Sequence, residues 1–535
     1  MKKIYASLLL MVCAGFAFGA APNTYSATET ISSDEVFTDV SIDDGVVVTI
    51  SSTGSLTCDN LDFQSMSNTL IVESGGNLIL NGNVLNNENS TITIEHGGSM
   101  IPSATSTFAT GNIVIEKDAS SSGYSYISSP ISDATYEGLV YTYNESMIDP
   151  SNPPYGTWES ATVSNPIPVG IGYAGYADGS ISFTGTPNVA AVNLMLSLNE
   201  GIRLAEPEKS GHHLIGNPFT AAIDMNAFFA TGANTANTFN SYYVWNPANN
   251  GGDGGYDSFT GLVGEYISSG QAFFIQLDYT ILSDGNFPVV LNPSIMVQEE
   301  NTGFFRKLED PLGEIVLNFS STNDSNNKLT FRFDDQFSAD FNKGFEAYSI
   351  PFDEAGELRL KSEFGAKHFD ILALPKEEIT IPISLKTTKA LDINLEVLKM
   401  DYLEGYVVEL VNKATNEAIV LNSGQNSTLN IGQLDNEVGF ELRLTVEPVL
   451  GLEDETEALK VYTSNRQLII NRLNQKNDIS GIRLYSLDGR QVGIWENISQ
   501  ASNQITIPTI NYRNGIYVVK VQTSKGIYSN KIILN

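Results

Sequence analysis

Apolar and polar residues alternate in short runs along nearly the whole 535-residue chain, and long three-to-four helical spacing is missing. A period of two turns one side of each run toward a core and the other toward water. The chain is therefore expected to be all-β. The order expected is a short N-terminal β-solenoid, then β-sandwich domains, then a small C-terminal Ig-like sandwich.

The solenoid is predicted from a repeat across residues 36–118, within a domain placed at 30–119. Val48-Thr49-Ile50 aligns with Leu70-Ile71-Val72 and with Ile92-Thr93-Ile94, each followed by a glycine corner. Gly54, Gly76 and Gly98 are 22 residues apart. Phe63 and Leu85 keep that spacing, and Phe108 arrives one residue late. Such a period means stacked units, each burying its inward Val, Leu and Ile only when the next coil covers it. The glycines suit a corner that needs φ > 0 or close backbone approach. Four coils serve as a spacer or as a binding face. His96 sits on a corner without the company a metal would need.

Residues 120–295 look duplicated. Gly123 to Ile131 echoes Gly211 to Phe219, Tyr141 to Asn144 echoes Tyr243 to Asn246, and Ile167 to Tyr173 echoes Ile267 to Phe273. The order is kept at offsets of 88, 102 and 100 residues, so insertions fall in loops. Two sandwich-like halves are expected, with Asp224 capping a short helix through Phe229. His212 and His213 are strand neighbours facing opposite ways, so the pair cannot chelate one ion. Asn249 to Asp257 holds the one candidate loop for Ca²⁺, with Asp253 and Asp257 supplying oxygens. It lacks the EF-hand spacing, and a plain hairpin tip is the alternative. No other metal or cofactor is indicated.

Residues 300–447 carry further strand runs, including Glu314 to Phe319, Lys328 to Phe333, Ile379 to Ile383, Leu391 to Val397 and Phe440 to Val446. Two sheets of about four strands would close a sandwich. Acid-rich turns at Asp324 to Asn326 and Asp334 to Phe341 raise the question of a glycosidase, which sets two carboxylates across a sugar. With 62 acids in the chain, close pairs arise by chance. No G-x-S-x-G elbow, H-E-x-x-H or phosphate loop is present. No catalytic residue is assigned, and the chain is not expected to be an enzyme.

Charge sharpens this picture. The chain carries a net −33. Between Ile4 and Phe305 the basic side chains are Lys117, Arg203 and Lys209 alone. Such a surface repels phosphate backbones, which excludes nucleic acid as a partner. The acid reads first as solubility outside the cell; the sharper reading is Ca²⁺ bridging to a glycan or a neighbouring protein. Met1-Lys2-Lys3 and the apolar run Tyr5 to Phe18 form a signal peptide over 1–20, cleaved after Gly19 or Ala20. No later run suits a transmembrane helix. Cys58 is then the one remaining cysteine, so no internal disulfide is available.

From Ala458 onward ten Lys and Arg face three acids, a net of +7, whereas everything before carries −40. The acidic run Glu453 to Glu457 lies in a linker placed at 448–457. About seven short strands follow in 458–535, with a hairpin signal at Asp488-Gly489. The stretches Leu484-Tyr485-Ser486-Leu487-Asp488-Gly489-Arg490 and Asn514-Gly515-Ile516-Tyr517-Val518-Val519-Lys520, with Lys531 near an apolar end, resemble the C-terminal sorting domain of type IX secretion cargo from Bacteroidetes. Tyr485, Asp488, Gly489, Gly515, Tyr517, Lys520 and Lys531 carry the likeness. Residues 211–219, 243–247 and 267–274 also resemble a β-domain that recurs beside that module. The resemblance implies passage through the periplasm to the outer face of the outer membrane. Its expected partners are the type IX machinery and a sortase-like peptidase, with attachment to surface lipopolysaccharide. The cargo is expected to be structural or adhesin-like. The rivals are a carbohydrate-binding surface protein, with Trp158, Tyr173, Tyr176, Trp245 and Tyr256 as stacking platforms, and a polysaccharide-acting enzyme.

Overall fold

The computed structural model describes the chain from residue 21 to 534 outside short internal segments, the longest being 146–156, 200–209, 299–311 and 447–458. The signal peptide with Gly19 and Ala20, the linker 448–457 and the cations Arg203 and Lys209 lie outside the described residues. The chain forms two compact units, 1–445 and 446–535. Strands fill both, as the alternation requires.

The first unit opens with the solenoid. Val47–Ile50, Thr69–Val72 and Thr91–Ile94 stack in parallel, with Val48 beside Leu70 and Leu70 beside Ile92. The opposite wall stacks Asp34–Ile42, Ser55–Phe63, Asn77–Leu80 and Ser99–Pro102. Inward Val48, Leu70, Ile92, Leu56, Leu78 and Met100 are fully buried. Burying one such side chain is worth roughly 1.5–3 kcal/mol, and here it is realised only between neighbouring coils. A Cβ on Gly54, Gly76 or Gly98 would come within 2.1, 2.6 or 2.7 Å of a carbonyl oxygen of the preceding coil. Close approach of backbones therefore explains these three glycines. Positive φ belongs to their neighbours Gly75 and Gly97. Cys58 points into this core, and burial pushes its thiol up to about 12.

The second wall corrects one alignment. Leu61 pairs with Val84 and Asp62 with Leu85. One extra residue has entered the coil after Leu80, so Val84 is the buried residue and Leu85 faces outward, 39% exposed. The stack also starts earlier than the repeat suggests, with Asn23–Tyr25 and Glu29–Ile31 on the two walls.

The far end of the stack is closed by the next region. Ser180–Gly185 runs antiparallel along the last strand, Ile113–Asp118. On the other wall Thr220 accepts from the Met100 N–H at 3.0 Å and returns its hydroxyl to the Met100 carbonyl at 2.6 Å. Both open edges, which would otherwise template further pairing, are covered there.

The duplication holds at the level of hydrogen bonds. Tyr124–Ile127, Tyr173–Tyr176, Val140–Asn144 and Thr157–Ala161 lie side by side in that order; His212–Gly216, Ala272–Leu277, Thr238–Asn246 and Gly255–Phe259 repeat it. Tyr124 pairs with Tyr176, and their counterparts His212 and Gln276 pair likewise. Between the halves, contacts are reciprocal. The Ser128 N–H donates to the Gly270 carbonyl at 2.9 Å, and the Gly216 N–H donates to the Gly170 carbonyl at 3.0 Å. The halves are thus related by an approximate two-fold axis. Asp224 caps the helix Met225–Ala230, accepting from Asn226 and Ala227 N–H groups.

Among the described residues, 313–446 form one sheet of eleven strands, where two sheets of four were the expectation from sequence. The sheet curls as a half-barrel over its own apolar face. Its curvature has local causes. Register slips between Val316 and Leu317 leave Leu398 unpaired and 43% exposed, and a second slip follows Ile383. Bulges of this kind bend a strand and raise its twist.

The second unit holds seven strands in two sheets. Leu459–Ser464, Gln467–Arg472 and Gln504–Pro508 make one; Gln491–Glu496, Ile479–Ser486, Gly515–Thr523 and Gly526–Leu534 make the other. Leu468, Ile470, Ile482, Leu484, Val519, Val521 and Ile532 fill the space between them. Among the described residues no strand of either sheet comes from before residue 459.

Candidate functional site

Several of the aromatic residues named as platforms in the carbohydrate-binding alternative pack against one another where the two halves meet. Tyr126 stacks on Trp245 at 5.5 Å and shares a hydroxyl contact of 2.5 Å with Tyr256. Trp158 packs against Tyr126, Tyr143 and Phe274. The Trp245 indole donates to the Tyr124 carbonyl at 3.0 Å. Tyr173 is buried. Tyr176 is the open member of the set, 51% exposed, with Tyr124 edge-on beside it.

The acids are bound up similarly. Glu314 meets Arg332 at 3.1 Å and also takes Lys399. Burial pushes its carboxyl up, but the two cations outweigh that and hold it low. Arg332 further donates to Thr260 and to the Phe345 carbonyl, tying the half-barrel to the second half of the duplication. Glu346 accepts backbone N–H groups from Asn342 and Ala373, and burial raises it to about 7. Asp370 accepts from Ser258 and Ser349. On the solenoid, Glu73, Glu95 and Glu116 fall on successive coils; burial, then these two neighbours, raise Glu95.

In the loop proposed for Ca²⁺, Asp253 lies outside the described residues. Asp257 accepts from the side-chain amides of Asn246 and Asn249 at 3.0 and 3.2 Å. Among the described residues no three His, Cys, Asp or Glu side chains gather as for a metal ion.

The two neighbouring histidines face opposite ways. His212 packs near Tyr243, and His213 Nε2 lies 2.7 Å from the Ser197 carbonyl. Burial lowers His213 to about 4. Its neutral ring is favoured in the fold, so its contribution is complete above pH 6.5 and is lost as pH falls through 6.5 toward 4. The loss amounts to about 3 kcal/mol. Urea unfolding at pH 7 and pH 4 should show the native chain losing that much more stability than His213→Gln; equal losses refute the assignment.

In the terminal unit Tyr485, Lys520 and Lys531 share one outer sheet face, whereas Tyr517 turns to the opposite face and packs against the core. The Lys520 ammonium lies 5.4 Å over the Tyr485 ring. Lys520 pairs with Arg483, and Lys531 pairs with Val518 on the neighbouring strand. Lys520 and Lys531 are exposed. Tyr517 donates to the Arg513 carbonyl at 2.9 Å and anchors the turn that carries Gly515. Asp488 and Gly489 lie outside the described residues. The face is basic and open, whereas the core behind it is apolar.

The terminal unit is a seven-stranded β module distinct from the acidic β body. The chain carries a secretion system C-terminal sorting domain, matched over residues 464–535, and is cargo of the type IX secretion system. A domain of unknown function (DUF8693) matches residues 32–262, spanning the solenoid and much of the duplicated region. No curated protein matches the chain. Two solved structures align: the adhesin domain of Epf from Streptococcus pyogenes, at 12% identity over 42% of this chain and 91% of that one, and the BSP domain of a biofilm associated protein, at 8% identity over 78% and 92%. Both have a TM-score of 0.12, and at that value neither bears on fold or role. Among the described residues no helix is long and apolar enough to cross a membrane.

Proposed function

We propose that this is a non-enzymatic, adhesin-like protein displayed on the outer face of the outer membrane. Its terminal module carries it out, and its acidic β body makes contact with the surroundings. The observation that carries the reading is the pairing of a type IX sorting domain with a body built from stacked and duplicated β units. The body's buried carboxylates support it, since Glu314, Glu346 and Asp370 each serve as acceptors that hold the scaffold together. Export to the cell surface or into the medium follows from the sorting domain itself.

A deletion strain should export its other cargo normally yet attach to glycan-coated and abiotic surfaces several-fold less under flow. Restoring the full chain should recover attachment. Unchanged attachment, or release of reducing sugars from polysaccharide by the purified chain, would refute the adhesive reading.

A further inference from the structure

One face of the first half runs out from under its partner. Tyr126, Tyr143 and Trp158 of that face pack on Trp245 and Phe274 of the second half. Beyond them the same face ends in Tyr124, Tyr141 and Tyr176. Tyr124 pairs with Tyr176, and Tyr141 pairs with Ala174, two residues from Tyr176, so strand alternation points all three the same way.

The approximate two-fold axis supplies an internal comparison. The counterparts of Tyr124, Tyr176 and Tyr141 are His212, Gln276 and Tyr243. In the second half this end of the face lies against the half-barrel. There the Tyr243 hydroxyl donates to the Tyr348 carbonyl at 2.8 Å, and Ile350 joins the apolar cluster of Tyr243 and Phe274. His212, Gln276 and Tyr243 are buried, whereas Tyr124 and Tyr176 are 39% and 51% exposed. The usual rule is inverted: the covered copy holds an imidazole and an amide, and the open copy holds two phenol rings. His212 and Gln276 show that the sheet closes without rings at these positions, so the exposed pair is not there for the scaffold.

The rings are held in place. Tyr141 and Tyr176 stand edge-on to Tyr124, with centroids 5.7 and 6.0 Å from it. Tyr124 and Tyr141 are joined by a side-chain hydrogen bond. The Trp245 indole and the Tyr136 hydroxyl donate to the carbonyls of Tyr124 and Tyr176. What stays open is ring surface, above all that of Tyr176. A corner fixed in advance costs a ligand little ordering.

Size and charge select the occupant. With roughly 150–250 Å² to a tyrosine, the open parts of Tyr124 and Tyr176 come to about 200 Å². A stable protein partner or a second copy needs about 800 Å² on each side, so the corner fits one small ring. Interplanar angles of 84° and 78° make it a corner and not a flat strip. It takes the face of a sugar against one ring and its rim against the next. Sugar C–H groups are drawn to the electron-rich ring face, and sugar hydroxyls to the phenol edge. The three side chains bring no charge, and the body's net −40 repels acidic glycans. The unit that fits is therefore neutral.

We infer that Tyr124, Tyr141 and Tyr176 form a cradle for one neutral hexose unit of a glycan. This deepens the adhesive reading and rests on it. The test uses the full chain without its signal peptide, with saturation-transfer NMR as readout. The probes are methyl glucoside, methyl galactoside and methyl mannoside, each alongside its uronate. At least one neutral glycoside should bind, with transfer concentrated on its ring C–H groups. Its uronate should bind more weakly, by a margin that shrinks as salt is added. Tyr176→Gln should weaken the neutral probe about tenfold, the loss expected for one ring contact. Tyr124→His together with Tyr176→Gln, which installs the second half's residues, should remove binding. No binding of any neutral probe, a uronate that binds as well as its parent, or full binding by the doubly changed chain would overturn the inference. A native dimer that dissociates in the doubly changed chain would overturn it too, by giving the face to a second copy. Should the double change melt early, Tyr176→Gln at its exposed position decides alone. Attachment under flow separates the two readings. Loss in the deletion strain without loss in doubly changed cells sinks the cradle alone, whereas normal attachment of the deletion strain sinks the adhesive role.

Discussion

Removing residues 458–535 should leave the protein in the periplasm. Among the described residues the seven strands of the terminal unit share no sheet with the body, so the cut takes away a whole module and leaves the body's ladders intact. Cell fractionation with antibody to the body should show near-complete loss from the surface and the medium, with folded chain accumulating inside. Joining residues 446–535 to an unrelated secreted reporter should send that reporter out. Normal display of the shortened chain would mean that export information lies in the body. Periplasmic degradation is told apart by pulse labelling, because a truncated chain that exports normally appears outside before it decays.

The second large effect is expected at Glu314. Its carboxylate and Arg332 are 8% and 5% exposed at the side chain. Two charges taken from water are tolerable only while paired, so Glu314→Ala leaves a guanidinium buried against Thr260 and the Phe345 carbonyl without its counter-charge. A loss of about 3–5 kcal/mol is expected. Glu314→Leu combined with Arg332→Met should cost clearly less than the sum of the single changes, because the desolvated charges leave together. Urea midpoints for the four chains close this cycle. Additive costs would show that the pair is not coupled.

Much of this architecture could be read from residue spacing. Gly54, Gly76 and Gly98 gave the coil period because a backbone contact repeats wherever the coil repeats. The echoes between Gly123 to Ile131 and Gly211 to Phe219 gave the duplication, and strand order and pairing follow it residue for residue. Leu85 was misplaced because an insertion of one residue after Leu80 turns the next side chain to the other face without altering composition. The single sheet of 313–446 was hidden for a similar reason, since bulges at Leu398 and after Ile383 leave no mark in an alternating pattern. Trp158 shows the limit for sites. An aromatic side chain on a strand reads the same whether it meets a sugar or Phe274.

The antiparallel strand Ser180–Gly185 sets a direction on one wall of the solenoid. Every rung before it runs the same way, so a second copy arriving at that end would meet a reversed rail and could not lengthen the stack. The stack's opposite terminus, at Asn23–Tyr25 and Glu29–Ile31, keeps the common polarity but offers only three-residue lengths to grip. Lengthening of the stack by another parallel coil is thereby stopped at the rung that Ser180–Gly185 covers.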